Sequence, residues 1–129
     1  MFTAFEDRGA IFYFTGDVIF FPYIHTNIGN HYDPSNGAFT CPYTGLYEFH
    51  VNVMSQVGYQ CEASLVVANE VIVTAWAEES SYSEHLQASN HAYVNCTTGS
   101  QAWIEAITCY LYSTSNNHAT FSGRLIQMY

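Results

Sequence analysis

Apolar and polar positions in this chain alternate with a period of two. Tyr47, Phe49, Val51 and Val53 are interleaved with Glu48, His50 and Asn52. Successive side chains of an extended strand point to opposite faces, so this stretch is predicted as a half-buried strand. Ile11 to Phe14 and Val18 to Phe21 are short apolar runs, the second stopped by Pro22. Ala63 to Ala68 is apolar on both faces, as expected of an inner strand, and Asn69-Glu70 turns the chain into Val71 to Trp76. Ala92 to Cys96 and Ala102 to Ile107 flank Thr98-Gly99-Ser100, a tight hairpin. Phe121 to Tyr129 reads as a last strand tied into a sheet. Between these runs lie turn formers (Asn27, Gly29, Asn30, Asp33, Pro34, Asn36, Gly37) and a polar stretch, Glu78 to Asn90, read as a long loop. No window carries an i, i+3, i+4, i+7 apolar stripe free of Gly, Pro or β-branched interruption, so no helix is predicted. Short strands with this punctuation predict an all-β sandwich of antiparallel sheets.

Composition adds an assembly argument. The 129 residues are 49 % apolar and 17 % aromatic, with eleven Tyr and nine Phe. One domain of this size buries a real core, yet it can hardly bury every ring, and exposed patches of that kind imply association. Charge narrows the partners. Lys plus Arg is 2 against 11 Asp plus Glu, for a net charge of −9. Arg8 and Arg124 cannot supply the clustered cations that phosphate backbones require, so nucleic acid and anionic membranes are poor partners. Divalent cations or neutral polar ligands suit this surface better. No apolar run approaches the ~18 residues of a membrane span, so no membrane insertion is expected. The N-terminus lacks the basic start and apolar core of a signal peptide, as expected of a mature domain begun at an added Met1.

Motifs for chemistry are sparse. His31, Asp33 and Cys41 sit close together in sequence and suggest a metal cluster, but the residues around them are turn and core formers. The four cysteines (41, 61, 96, 109) include no Cys-x-x-Cys pair, which argues against structural zinc. Asn95-Cys96-Thr97 is a glycosylation sequon and tips the compartment towards secretion. Six histidines (25, 31, 50, 85, 91, 118) show no His-x-His or His-x₃-His spacing. There is no nucleophile elbow, P-loop or His-Glu-x-x-His, so no enzyme is expected.

One constellation is specific. An aromatic, five residues, Asn, four residues, an aromatic, six residues, Phe, five residues and then Gly-x-Tyr-x-Phe occurs here as Phe21, Asn27, Tyr32, Phe39, Gly45, Tyr47 and Phe49. "FTCP" at Phe39–Pro42, "TFSG" at Thr120–Gly123 and the hairpin "TTGSQAWIE" extend the pattern, and Val51 departs from it where an aromatic is usual. The chain thereby resembles the globular head domain of complement C1q and its tumour-necrosis-factor-like relatives. The resemblance implies a ten-stranded TNF-like jelly roll forming a homotrimer about a threefold axis, secreted and extracellular.

Further expectations follow from the resemblance. It puts Cys61 and Cys109 on antiparallel neighbours, where a cross-strand disulfide is geometrically possible. That register would also set Leu65 opposite Glu105. Cys41 matches a buried position and is expected as a free apolar thiol, and Cys96 takes a core-facing slot. The alternative is four reduced, buried cysteines. Many family members bind Ca²⁺ near the trimer apex. Glu78 falls on one of those carboxylate positions and Leu86 on the other, so calcium here would depend on Glu79 and Glu84 compensating; the alternative is a solvated acidic loop. Trimer symmetry could also gather three copies of one histidine into a zinc or copper site. Arg124 stands where relatives carry an aromatic on the axis-facing sheet. It either pairs with Glu48, Glu6 or Asp7 or snorkels to the rim. The implied function is a lectin-like recognition module of innate immunity, binding carbohydrate or microbial surfaces through loop residues Tyr82, His85, Asn90, His91, Ser113, Asn116, Asn117 and His118. The alternative is a matrix or cytokine-like protein binding a protein receptor.

Overall fold

The computed structural model describes residues 1–78, 84–114 and 118–129. Its strands are β1 (Phe2–Glu6), β2 (Gly9–Tyr13), β3 (Tyr23–Asn27), β4 (Tyr32–Asp33), β5 (Ala38–Thr40), β6 (Gly45–Met54), β7 (Gln60–Val67), β8 (Glu70–Glu78), β9 (Gln87–Cys96), β10 (Gln101–Ser113) and β11 (Ala119–Met128), with one 3₁₀ turn at Ile28–Asn30. Eleven strands are thus found among the described residues where ten were expected, and β4 has only two residues. They form two sheets. The first runs β3-β1-β11-β6-β9, and the second runs β4-β5-β10-β7-β8 with β2 also paired to β10. The neighbours pair antiparallel throughout.

The fold is locked by an aromatic stack between the sheets. Phe2 lies flat on Tyr32 and Phe39, each at 4.8 Å, and meets Phe121 edge-on at 4.9 Å. Tyr47, Phe49, Phe21 and Phe39 are all buried in the same core. Burying each ring removes a large apolar area from water, and the offset and edge-on geometries suit the ring quadrupoles. Asn27 explains its place in the signature. Its side-chain amide donates to the Tyr32 carbonyl at 2.8 Å and its carbonyl oxygen accepts the Tyr32 N–H at 3.1 Å, so one side chain stands in for a strand partner. The Tyr32 hydroxyl, raised in pKa chiefly by burial, donates to the Phe21 carbonyl at 2.9 Å. Gly45 is required by close approach, since a Cβ there would sit 2.3 Å from the Gln127 carbonyl oxygen.

Four expectations need correction. Val18 to Phe21 is not a strand. Val18 makes one bridge to Glu105, and the chain from Gly16 to Ile19 fills the β10 edge between β5 and β2 irregularly while Ile19 and Phe21 drop into the core. Glu78 to Asn90 is not one loop, because β9 begins at Gln87 and pairs with β6 along its full length. Its outward residues are polar, so the alternation carries little hydrophobic contrast. Cys41 is not a free thiol. It is bonded to Cys96, joining the turn after β5 in the second sheet to the end of β9 in the first. Cys61 and Cys109 are opposed and bonded, so neither pair is reduced. Leu65, however, faces Ile104 and not Glu105, because a bulge between Ala106 and Thr108 shifts the register by one.

Glu6 is a buried carboxylate. Its oxygens accept the backbone N–H groups of Asp7 and Arg8, each at 2.9 Å, and the Arg8 Nε at 2.7 Å. A buried charge needs this degree of pairing.

Candidate functional site

The residues expected to bind ligand do not converge. Glu79, Tyr82, Asn116 and Asn117 lie outside the described residues. Ser113 is buried; its hydroxyl donates to the Glu6 carbonyl and accepts the Ala119 N–H at 3.2 Å. Asn90 belongs to the inward-facing set of β9, and its amide donates to the Thr74 carbonyl at 3.0 Å. Ser113 is thus engaged inside the sandwich, and Asn90 is half-buried. His85 stacks on Tyr112 at 3.9 Å, with Nδ1 3.1 Å from the Ser55 carbonyl oxygen. The His118 carbonyl accepts Gln87 Nε2 at 3.2 Å. Asn95 is exposed on β9 and accepts the Tyr129 hydroxyl.

The expected calcium carboxylates are only partly among the described residues. Glu78 and Glu84 are exposed, and no group of three His, Cys, Asp or Glu among the described residues can hold a metal ion. Leu86 donates its backbone N–H to Ser55 Oγ at 3.4 Å, and its carbonyl oxygen accepts the Ser55 N–H at 2.8 Å. Calcium takes ~6–8 oxygens, and Glu79, one of the three expected carboxylates, lies outside the described residues. The His31, Asp33, Cys41 cluster also dissolves. Asp33 accepts the Ser35 hydroxyl and N–H, which hold its carboxyl below the usual range, and Cys41 is in a disulfide.

The structure does assemble a polar face on the outer side of the first sheet. The register sets His91 opposite His50, His50 opposite Ser122 and Ser122 opposite Thr3, giving one row across four strands. In the next row Tyr93, Glu48 and Arg124 are aligned. Arg124 Nε donates to Glu48 Oε1 at 3.0 Å, so Glu48 is its partner, and its side chain is still 54 % exposed. Hydrogen bonds from Arg124 and then Tyr93 hold the Glu48 carboxyl below its ordinary range, and the same bond raises the Tyr93 phenol. Glu48 Oε2 lies 3.6 Å from His50 Nε2. Thr3, Glu48, His50, Ser122 and Arg124 line an open depression on this face. The outward alternation of Glu48 and His50 was readable in the sequence, but their partners across β9 and β11 required the register.

The second sheet's outer side is different. Phe12 meets Phe14 at 4.9 Å and Tyr110 at 5.6 Å, and Tyr59 meets Tyr110 at 4.8 Å. Phe14 is 70 % exposed, and Trp76, opposite Glu62, is 57 % exposed. Both cations of the chain are already paired, Arg8 with Glu6 and Arg124 with Glu48. No described helix is long and apolar enough to cross a membrane.

Comparison with known proteins agrees with this architecture. A zebrafish (Danio rerio) protein, Caprin-2, is 35 % identical over 109 residues, which are 84 % of this chain and 12 % of that protein. The chain therefore corresponds to a small part of that relative's length. Among solved structures, the globular domain of zebrafish complement 1qA has a TM-score of 0.78 at 21 % identity, covering 99 % of this chain and 98 % of that one. The Eiger TNF of S. frugiperda has a TM-score of 0.78 at 10 % identity, covering 99 % and 92 %. Both likenesses show the TNF-like jelly-roll fold. Homologues of this kind are trimeric and bind ligands or receptors, and C1q domain proteins are typically extracellular and non-enzymatic. Residues 1–126 match the C1q domain, and with the shared fold this shows that the chain belongs to the C1q domain family.

Proposed function

We propose that this chain is a secreted, lectin-like recognition module of innate immunity, a homotrimer that binds carbohydrate on microbial or cell surfaces. The observation that carries the reading is the exposed aromatic surface without a free cation. Phe12, Phe14, Tyr59, Tyr110 and Trp76 offer ring faces, Glu62 and Glu78 offer hydrogen-bond acceptors beside them, and both arginines are occupied. Such a surface suits neutral polyhydroxylated ligands, which stack on rings and donate hydroxyls, better than anionic ones. In the trimer the first sheet faces the axis, where Tyr93 supplies exposed ring area. Three equal copies then add avidity to a weak single-site interaction.

A glycan array with the full chain, run with Ca²⁺ and with EDTA, tests this. Saturable binding to a defined sugar class, reduced by Trp76→Ala or Phe14→Ala, supports the reading. An EDTA-sensitive signal assigns calcium a part through the acidic residues Glu78, Glu79 and Glu84. No glycan bound, together with tight binding to a protein receptor, would replace the lectin reading with a cytokine-like or matrix one.

A further inference from the structure

We propose that Trp103, with Gln101 beside it, forms a binding ridge for a linear, neutral oligosaccharide on the outer side of the second sheet. The ridge rests on the carbohydrate reading above and adds a sugar contact apart from the rings of Phe12, Phe14 and Trp76. β10 lies between β5 and β7 in that sheet. Its residues alternate: Ala102 and Ile104 are fully buried, whereas Gln101 is exposed and Trp103 half-buried. Successive strand side chains point to opposite faces, so Gln101 and Trp103 stand together on the outer side. In the trimer this side is turned away from the axis, because the first sheet faces it. The ladder sets Trp103 opposite Val66 and Trp76 opposite Glu62, so the two indoles stand in different rows.

An open depression lies on each side of the ridge, and Gln101 and Trp103 line both. One, of about 240 Å³, is completed on the β5 side by Val18, Asn36 and Ala38. The other, of about 400 Å³, is completed by the turns at Ala68–Asn69 and Gly99–Ser100. Together they fall in the ~300–1,000 Å³ range of small-ligand sites. Backbone bonds tie the rim to the strands. The Ala68 N–H donates to the Gln101 carbonyl and the Gly99 N–H to the Cys41 carbonyl, each at 2.9 Å. A rim ordered in advance loses little freedom on binding.

The lining carries no charged side chain, in a chain of net charge −9. An anion finds no cation there, since both arginines are paired elsewhere, and a cation meets its carboxylates outside the depressions. What remains is an indole set among amides and a hydroxyl. Asn36 Oδ1 accepts the Ala38 N–H at 2.9 Å, and Gln101 Nε2 donates to Thr40 Oγ1 at 3.2 Å. Each amide so held keeps its other group, the Asn36 NH₂ and Gln101 Oε1, for a ligand. Asn69 and Ser100 add an amide and a hydroxyl on the far side. Such donors and acceptors match sugar hydroxyls, which both give and take hydrogen bonds. The apolar face of a sugar ring covers the indole, whose Nε1 lies 3.5 Å from Glu105 Oε1. Two depressions flanking one indole fit consecutive rings of a chain running across the ridge, not a single terminal sugar.

Tryptophan occurs only at positions 76 and 103, so fluorine NMR of the full chain labelled with fluorotryptophan gives one signal for each. The probes are maltohexaose, mannohexaose and chitohexaose, with calorimetry alongside, and Trp103→Phe assigns the signals. One of these sugars should shift the Trp103 signal saturably, and about 1 M NaCl should leave its affinity unchanged. Trp103→Ala should weaken binding about tenfold or more. Gln101→Ala, at an exposed position the core does not need, should weaken it severalfold with an unchanged circular dichroism spectrum. Binding that leaves the Trp103 signal unmoved, that fades in salt, or that survives both alanine variants overturns the ridge while the carbohydrate reading stands. Binding to none of the three hexasaccharides also overturns it, and binding to no sugar on the glycan array removes the carbohydrate reading as well.

Discussion

The outer sides of the two sheets are built on opposite plans. On the first, the central rows are hydrogen-bonded and polar: Thr3, Ser122, His50 and His91 in one, Arg124, Glu48 and Tyr93 in the next. On the second, rings touch rings, and the nearby carboxylates have no cation to meet. Aromatic surplus alone therefore does not say which face takes a partner. The first face is specified by register, because each polar contact needs a residue from another strand. The second is specified by shape and apolar area, which tolerate many partners. A protein that assembles through the first and recognises through the second would show this division.

Experiments can break the comparison in order of expected effect. The faces keep a fixed relation because Cys41–Cys96 joins the sheets across a sequence separation of 55 residues. Replacing that pair with alanines should lower unfolding free energy in urea by about 4 kcal/mol, from the freed loop entropy of the denatured chain. Cys61–Cys109, separated by 48 residues, should cost nearly the same. A much smaller loss for either would mean that native packing sets its contribution. Next, Tyr93→Lys on the first face should weaken self-association in sedimentation velocity by about a hundredfold, an effect of hot-spot size. Phe14→Lys on the second should leave it unchanged, and the reverse result would swap the roles of the faces.

Arg8→Ala probes the edge where the sheets meet. Glu6 would stay buried with its two backbone N–H bonds but without its cation, costing about 2 kcal/mol, less than a fully buried pair because Arg8 is 43 % exposed. The smallest effect is electrostatic. The folded state depresses the Glu48 pKa, so this carboxylate's contribution is complete above its ordinary value of 4.5 and is lost as pH falls through the lower folded value. Arg124→Ala should move the Glu48 carboxyl titration upward in NMR and flatten that part of the acid dependence.

Much of the first face's scaffold was legible in the sequence. The alternation through Tyr47 to Val53 marks β6 and its outward Glu48 and His50, and the spacing of Phe21, Asn27, Tyr32, Phe39, Gly45, Tyr47 and Phe49 carries the family resemblance that implies the fold. Asn27 and Gly45 are fixed by backbone contacts, which is why residue type at those positions is informative. The site itself was less legible. β9 alternates Gln87, Ser89, His91, Tyr93 and Asn95 against weakly apolar partners, so its first half to Asn90 reads as loop while Ala92 to Cys96 reads as a hairpin arm, and the His50–His91 pairing is not legible. The Cys41–Cys96 bond joins different sheets, and no ladder register predicts an inter-sheet distance. The bulge near Ile107 moved Leu65 by one position, a local irregularity with no composition signal.

The place of β11 bears on how the protein is made. It lies at the centre of the first sheet, between β1 and β6, although it is the last strand in the chain. During synthesis the second sheet has all its strands once β10 has emerged, while the first is still two separate halves, β3-β1 and β6-β9. Until residues 119–128 leave the ribosome, both halves present unpaired edges and one wall of the aromatic core is missing. Closure therefore waits for β11 and happens all at once, a long-range step of the kind that folds slowly and leaves nascent chains open to misassociation. Oxidation of the cysteines, all of which are synthesised before β11, can run ahead of that closure.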